Sequence, residues 1–368
     1  MPNKCRRAAE RQSHALARAD ALIDQLGGSL LLARSGSVNW ITGGLSDPID
    51  LTSAHDPIWA LVTPSERVLF TSQIEGPRLV HDFDPGARGW EIVAVPWFDP
   101  EAQRDAVVAR VGTRGSRLFS DTPIVGVEAT SAIVSARLSL SEPERDDLRA
   151  LGRDTARALE SGLDAWRPGT SRDFDVAAAV AHELESVGAK AVCLIVGGDE
   201  RLRTLRHPLA VGDIVEEAIM VVAVARRGGL HAAGTRLAVR RGDDPLLDQM
   251  RALAPVNEAV LAATRPARTW GEIVTALARA YASAGHPEAW REHVQGGPLA
   301  FEQREFELAP GESGPPYGDL PCRVSTAVAW NPSLRGGAKF EDTYLVGESG
   351  LELVTDAGVR HEPVRVVE

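Results

Sequence analysis

In the segment EAIMVVAVARRGGLHAAGTRLAV, at residues 217–239, two apolar runs flank a pair of glycines. The runs Glu217–Arg226 and Leu230–Val239 are rich in Val, Ala and Leu and are bounded by turn residues, which is typical of strands. Gly228 and Gly229 tolerate the positive backbone φ angles of a tight turn. The stretch therefore predicts an antiparallel hairpin.

Helices and further strands flank this hairpin in the sequence. Ser141-Glu142-Pro143-Glu144 combines an N-cap, an early proline and acidic residues, and predicts a helix that continues to about Trp166. Periodicity predicts three more helices, at about 171–187, 244–264 and 269–284, and strands at Ala191–Val196, Val324–Trp330, Glu341–Val346 and Leu351–Val354. Residues 136–368 are thus predicted to form an α+β domain, with helices packed on one face of a curved antiparallel sheet.

The first 135 residues have a different pattern. Ala, Leu and Ile recur at helical spacing over residues 5–26 and stop at Gly27-Gly28. Helix-like segments near 76–82 and 101–111 alternate with short apolar runs at Leu30–Leu32, Trp59–Val62, Val68–Phe70, Ile92–Val95 and Leu118–Phe119. This alternation predicts an α/β domain at residues 1–135, and a chain of 368 residues is long enough for two cores.

Composition narrows the function classes. The net charge of −11 is spread along the chain without blocks, which argues against nucleic-acid and membrane partners. Cys5, Cys193 and Cys322 have no spacing typical of disulfide frameworks or zinc sites, and Cys193 is predicted to be a core residue. The longest apolar run, Ala218–Ala225, is too short to cross a bilayer, and the N-terminus lacks a signal peptide. We expect a soluble cytoplasmic protein.

Residues 293–298, His-Val-Gln-Gly-Gly-Pro, predict a wall of a ligand cavity. The glycine pair allows close backbone approach, and His293 and Gln295 would share a face of an extended strand. The alternative is a Gly-Gly turn with incidental polar neighbours. Glu302 and Arg304 follow, and on a strand they would also share a face, either to contact substrate or to form a bracing salt bridge.

Two motifs give the chain a family resemblance. Asn39-Trp40-Ile41-Thr42-Gly43 resembles a motif in the N-terminal domain of the creatinase, prolidase and aminopeptidase P family, and residues 341–355, EDTYLVGESGLELVT, resemble its C-terminal signature. The resemblance extends over nearly the whole chain. It implies the pita-bread fold for the catalytic domain, hydrolysis of a C–N bond, and a homodimer.

The metal ligands of that family are mostly missing from this chain. Its metallopeptidases hold two metal ions with two Asp, one His and two Glu. The resemblance places these positions at Val222, Ala233, Gln295–Gly297, Asn331 and Glu341, so one carboxylate remains. Because divalent ions need several carboxylate or imidazole ligands, we expect no metal ion, and we expect no other cofactor.

The resemblance supplies another candidate for the chemistry. Creatinase uses a histidine as acid and base without a metal, and the matching residue is His207, in Arg206-His207-Pro208. A histidine titrates near neutral pH and suits that role, although a structural loop histidine has the same local sequence. Lys339 lies two residues before Glu341 and could replace a missing cation, or the two could form a surface salt bridge.

These observations favour a metal-independent hydrolase-type enzyme that cleaves a C–N bond in a small amide, amidine or amino-acid derivative. Its catalytic residues would be His207 and Glu341, and its small-molecule substrate would contact His231, His293, Gln295, Glu302, Arg304, Asn331 and Lys339. One alternative is an Xaa-Pro-type metallopeptidase with an atypical metal site at His231, His293 and Glu341. The other is a family member that binds a ligand without turnover.

Overall fold

The computed structural model describes residues 2–44, 49, 55–112, 117–241, 245–311, 317–358 and 364–368. Backbone contacts divide the chain into two compact units. The first contains Met1–Arg137 and Ser141–Glu144, and the second contains Leu138–Leu140 and Arg145–Glu368.

A mixed six-stranded sheet organises the first unit. Its strands are β1 (Gly28–Arg34), β2 (His55–Val62), β3 (Arg67–Ser72), β4 (Glu91–Val95), β5 (Arg117–Ser120) and β6 (Val127–Glu128), in the order β4-β3-β2-β1-β5-β6. Strands β1, β2 and β3 pair antiparallel, whereas the β3–β4, β1–β5 and β5–β6 pairs are parallel. The helices are α1 (Pro2–Leu26), α2 (Ser35–Thr42), α3 (Gly76–Phe83), α4 (Ala102–Gly112) and α5 (Thr130–Arg137). This is the predicted α/β pattern.

The Asn39–Gly43 motif ends helix α2, which the apolar pattern alone does not predict. Asn39 donates a side-chain hydrogen bond to the Ser35 carbonyl at 2.9 Å. Gly43 follows with a φ angle of 74°, and its N–H caps the helix end. A glycine is favoured here because side chains raise the energy of the left-handed region.

The second unit contains two four-stranded sheets and most of the helices. Its helices are α6 (Glu142–Ala165), α7 (Asp173–Ser186), α8 (Asp199–Thr204), α9 (Pro245–Ala263) and α10 (Trp270–Ser283). Its strands are β7 (Lys190–Gly198), β8 (Ala218–Arg227), β9 (Leu230–Arg240), β10 (Gly296–Pro298), β11 (Ala327–Trp330), β12 (Asp342–Val346), β13 (Leu351–Leu353) and β14 (Val364–Val367). The sheet orders are β14-β9-β8-β7 and β10-β11-β12-β13, and of these pairs only β14–β9 is parallel among the described residues. The predicted α+β class is confirmed.

The hairpin at residues 217–239 is confirmed. Strands β8 and β9 pair in register from Ala218 opposite Val239 to Arg227 opposite Leu230. Gly228 and Gly229 connect them with φ angles of 55° and 79°. Positive φ at both central residues is the geometry of a type I′ turn, which matches the natural twist of the two strands.

Strand β9 joins the two sheets through the segment that leads into β12. The Thr235 N–H donates to the Glu341 carbonyl at 2.9 Å. The Ala233 N–H donates to Thr343 Oγ1 at 2.8 Å, and that hydroxyl donates to the Ala233 carbonyl at 2.9 Å. These bonds bring Glu341 to the face of β8 and β9 that forms the candidate site.

Asp342 has a structural role in this junction. Its Oδ1 accepts hydrogen bonds from Arg236 Nη1 at 3.0 Å and from Thr355 Oγ1 at 2.7 Å. Arg236 is buried and also donates a hydrogen bond to Glu160. Asp342 and Arg236 thus form a buried polar cluster whose members are hydrogen-bonded to each other and to their neighbours. The three residues of the Glu-Asp-Thr signature therefore have different roles. Glu341 belongs to the candidate site, whereas Asp342 and Thr343 join the two sheets.

Neither of the two polar segments that the sequence analysis considers as strands lies in a strand of the described sheets. His293 and Gln295 precede the short strand β10, and Glu302–Glu305 lies in an irregular loop. Residues 302–305 do not form a strand because the Glu305 carboxylate accepts hydrogen bonds from the backbone N–H groups of Phe301 at 3.0 Å and Glu302 at 3.3 Å. These bonds close a turn and divert those N–H groups from strand pairing. Within the described ranges, no helix has the length and apolar character needed to span a membrane.

Candidate active site

A cavity of about 770 Å³ opens in the second unit, over the hairpin sheet. Its floor is formed by Cys193 and Ile195 of β7 and by Val222 and Val224 of β8. Cys193 lies opposite Val224 and Ile195 opposite Val222, so all four side chains share one face. The floor is therefore apolar. Cys193 is half-buried and lines the cavity, so it is not the core residue that the sequence predicts.

Two histidines meet at the cavity wall. The Nε2 atoms of His207 and His293 are 3.1 Å apart, and both residues line the cavity. His293 Nδ1 contacts the Val294 carbonyl, which can only accept, so Nδ1 carries the proton. His293 Nε2 is then the acceptor, and His207 Nε2 must donate to it. This chain of bonds fixes both tautomers and directs the Nδ1 lone pair of His207 away from its partner.

Burial and nearby cations keep both imidazoles neutral. The pKa of His293 falls to about 4, chiefly because burial disfavours its charged form and secondarily because Lys339 repels a second positive charge. The pKa of His207 is lowered for the same two reasons, in the same order, with Arg304 adding to the repulsion. At neutral pH, His207 is therefore an unprotonated base.

Lys339 and Glu341 form a buried ion pair beside the histidines. Lys339 Nζ lies 3.0 Å from Glu341 Oε2, and the two side chains are 8% and 7% exposed. Oε2 also accepts the Thr235 hydroxyl at 2.6 Å, and Oε1 accepts Asn331 Nδ2 at 3.4 Å. Lys339 lines the cavity, whereas Glu341 is not among its lining residues. The predicted proximity is confirmed, and the pair is not a surface salt bridge.

Asn331 lines the cavity, and its side-chain oxygen is buried. Its backbone N–H donates to the Gln295 carbonyl at 3.1 Å, which fixes the residue beside β10. Its amide nitrogen is directed toward Glu341, whereas its buried Oδ1 has no partner among the described residues. A buried acceptor without a donor raises the free energy of the folded state, unless a ligand or water supplies the missing hydrogen bond.

Gln295 holds the wall together and does not present its amide to the cavity. Its Nε2 donates to the carbonyls of His293 at 2.7 Å and Trp290 at 3.1 Å. Its Oε1 lies 3.0 Å from the Tyr281 hydroxyl, which also accepts the Ser333 N–H at 2.7 Å. The sequence predicts substrate contact for Gln295. The structure instead uses its amide to position His293, because each polar atom already has a protein partner.

Charged side chains surround the rest of the cavity. Arg206, Arg291 and Arg304 line it together with Glu292 and Glu307. Arg206 pairs with Glu292, which also accepts Arg335 Nε at 2.9 Å. With Lys339, the described lining holds four cations and two carboxylates, and each of the four cations is ion-paired with a glutamate.

The prediction that His231 lines the pocket is wrong. His231 is on the same face of β9 as Ala233, as expected from the two-residue strand period. However, its N–H and its Nδ1 contact the Ala300 carbonyl at 2.7 and 3.0 Å, so the 299–306 loop covers it. Burial, with a smaller effect of Arg226, lowers its pKa to about 3. His231 is a neutral structural histidine.

Glu302 and Arg304 do not form the predicted pair. Arg304 lines the cavity and donates to Glu307 Oε1 at 2.9 Å, with Arg304 41% exposed. Glu302 is absent from the cavity lining. The predicted common face required a strand, and the turn made by Glu305 separates the two side chains.

The residues at the family's metal positions do not fit a pair of divalent ions. Val222 and Ala233 are apolar, Asn331 offers an amide, and Glu341 is neutralised by Lys339. The ammonium of Lys339 would repel a cation near this carboxylate. Over the described part of the chain, no three His, Cys, Asp or Glu side chains group as metal ligands, so the set His231, His293 and Glu341 does not assemble.

Comparisons with known proteins show the fold. No family model and no curated protein sequence matches the chain. Solved structures do match. The dipeptidase PepE from Mycobacterium ulcerans aligns with a TM-score of 0.78 and 19% identity over 98% of both chains. The prolidase from Pyrococcus horikoshii OT3 aligns with a TM-score of 0.74 and 15% identity over 93% of this chain and 98% of that one.

A further match carries a different kind of name. The N-terminal domain of the FACT complex subunit SPT16 from Eremothecium gossypii aligns with a TM-score of 0.68 and 13% identity, over 98% of this chain and 99% of that one. The pita-bread fold expected from the sequence is confirmed. At these identities the likeness establishes the fold, and the chemistry has to be argued from the cavity.

Proposed function

We propose that this chain, which has the fold of the prolidases and dipeptidases, is a metal-independent hydrolase-type enzyme that cleaves a C–N bond in a small amide, amidine or amino-acid derivative. The contact of 3.1 Å between His207 Nε2 and His293 Nε2 carries the proposal. It supplies a neutral base whose orientation is fixed by a second group, as general acid–base catalysis requires.

His207 moves the proton in this proposal. Its Nδ1 takes a proton from a water molecule as the water oxygen bonds to the substrate carbon, and the carbonyl or amidine π electrons shift to the heteroatom. The imidazolium that forms is stabilised because Nε2–H donates to His293 Nε2. When the tetrahedral intermediate collapses, the C–N bond breaks and the departing nitrogen receives the proton from His207 Nδ1.

The other groups hold the substrate. Lys339 supplies a positive charge where negative charge develops, and Asn331 lines the same cavity. Glu341 is a positioning residue in this arrangement, because Thr235 and Lys339 contact its Oε2 and it is not among the residues that line the cavity. The sequence suggests a direct catalytic role for Glu341, and we replace that suggestion with one exerted through Lys339.

Turnover measurements on a library of small amides, amidines and N-acyl amino acids test the proposal. We expect His207→Ala to lower kcat by about 10²–10⁴-fold. His182→Ala, on the exposed face of α7, is the matched control and should retain full activity. The acid limb of the pH–rate profile should lie below the ordinary histidine value, because the pKa of His207 is lowered. Undiminished turnover by His207→Ala would refute the mechanism.

The protein contacts of Glu341 favour a second candidate, a binding protein without turnover. Lys339 and Thr235 contact Oε2 and Asn331 contacts Oε1, so three protein groups compete with a water molecule for this carboxylate. This candidate predicts tight binding of a small molecule and no product from any compound in the library. The metallopeptidase alternative has less support, because the cavity lacks a suitable ligand set among the described residues.

A further inference from the structure

We infer that the cavity binds a small carboxylate with an apolar body, and that the Lys339 ammonium binds the carboxylate group. This inference rests on the proposed function only for the location of the site. It specifies the chemical class of the ligand, which can be measured without turnover.

Lys339 is the first argument. Its side chain is 8% exposed, and Glu341 is its one ionic partner in the described part of the chain. An ammonium has three N–H donors, and Lys339 lines the cavity, so donors remain for a ligand. Glu341, Thr235 and Asn331 fix the other side of the pair, which keeps Nζ in place without a ligand.

The shape and charge of the cavity give the rest of the ligand. The floor of Cys193, Ile195, Val222 and Val224 offers an apolar surface of side chains from two paired strands. The arginines that line the cavity are ion-paired with glutamates, as Lys339 is with Glu341. An anion is favoured next to Lys339, because its ammonium keeps donors for a ligand at the cavity. N-acyl derivatives of apolar amino acids combine a carboxylate with an apolar body.

The Lys339–Glu341 pair also explains why this cavity differs from the metal site of the family that the sequence resembles. A lysine beside the one remaining carboxylate provides a single positive charge where the resemblance places two divalent ions. A fixed ammonium binds a carboxylate by a charge-assisted hydrogen bond, so ligand binding should not depend on added metal.

Titration calorimetry with N-acetyl-L-leucine and its uncharged analogue N-acetyl-L-leucinamide tests the inference. We expect the acid to bind about ten-fold more tightly than the amide, and the difference to shrink as salt is raised. The double variant K339M/E341Q removes the pair without leaving a buried charge, and should lose the preference for the acid. K190M, which removes an exposed lysine paired with Glu185, is the matched control and should keep it.

The outcomes separate this inference from the proposed chemistry. H207A should still prefer the acid. Binding of the acid by the unmodified protein, with no turnover of any compound in the library, would contradict the hydrolase proposal and leave the carboxylate site intact. Equal affinity for acid and amide, no binding of either probe, or a preference that persists in folded K339M/E341Q would each overturn the carboxylate site. Circular dichroism and the unfolding midpoint establish that each variant is folded.

Discussion

Lys339 Nζ lies 3.0 Å from Glu341 Oε2, and the two side chains are 8% and 7% exposed. The cost of burying two charges is high, and it is offset here by their attraction and by the bonds from Thr235 and Asn331 to the carboxylate. The pair occupies the part of the fold where the family resemblance places a metal ligand. It connects stability and ligand recognition through the same two side chains.

Removing one partner of this pair should destabilise the protein strongly. Glu341→Ala leaves the Lys339 ammonium buried and unpaired, so we expect the free energy of unfolding to fall by about 3–5 kcal/mol. Urea unfolding at constant pH measures it. The double variant Lys339→Met/Glu341→Gln should recover most of the loss, because it removes both charges.

For comparison, Lys190→Met breaks the exposed pair with Glu185 and should change the free energy of unfolding by less than about 1 kcal/mol. A loss as small for Glu341→Ala would contradict the buried-pair interpretation.

The hydroxyl of Tyr281 should stabilise the cavity wall through its hydrogen bonds to Gln295 and Ser333. Tyr281→Phe removes the partner of Gln295 Oε1 and of the Ser333 N–H while keeping the ring. Because these buried groups are left without a partner, we expect a loss of about 1–3 kcal/mol in the free energy of unfolding. Ligand affinity should fall as well, since Gln295 positions His293. Tyr344→Phe is the control, because Tyr344 does not line the cavity. Equal unfolding midpoints for Tyr281→Phe and the unmodified protein would exclude this bracing role.

The sequence predicts the elements of the second unit well because hydrophobic period and turn residues are local. The hairpin of β8 and β9 follows from two apolar runs and Gly228-Gly229. Strand β14 escapes prediction because it is short and pairs in parallel with β9, a distant segment. The loop at 302–305 is not predictable from the sequence, because nothing in the sequence shows that the Glu305 carboxylate accepts the N–H groups of Phe301 and Glu302.

The candidate site shows the same division. Lys339 and Glu341 are two residues apart, so their proximity is predictable from an extended backbone. The contact between His207 and His293 spans 86 residues, and only the fold brings the rings together. His231 lies on the predicted face of its strand, but it contacts the Ala300 carbonyl instead of the cavity. The homodimer and the cytoplasmic location rest on the sequence and stay predictions.

Acid should destabilise the protein in a defined pH window. The folded-state pKa values of His231 and His293 are about 3 and about 4, below the ordinary histidine value of 6.5. Between these limits the unfolded chain takes up protons that the folded chain does not, so the free energy of unfolding falls as the pH is lowered from about 6.5. Urea titrations between about pH 6.5 and 5 measure the slope before most carboxylates titrate. His231→Gln should flatten this slope, and His182→Gln, at an exposed position, should not. A slope unchanged by His231→Gln would show that His231 takes up a proton in the folded state.

Added divalent metal should neither bind stoichiometrically nor stabilise the fold. The resemblance places the two ions of the metallopeptidases at Val222, Ala233, Gln295–Gly297, Asn331 and Glu341, and Lys339 pairs with the one carboxylate among these residues. A ligand that binds only the folded state raises the unfolding midpoint by mass action. We therefore expect the same melting temperature with Zn²⁺, with Mn²⁺ and after EDTA treatment, and a metal content well below one ion per chain in elemental analysis. A stoichiometric ion with a raised melting temperature would revive the metallopeptidase alternative. Lys339→Met would then locate the ion, because removing a repelling charge strengthens metal binding only if the ion lies next to Glu341.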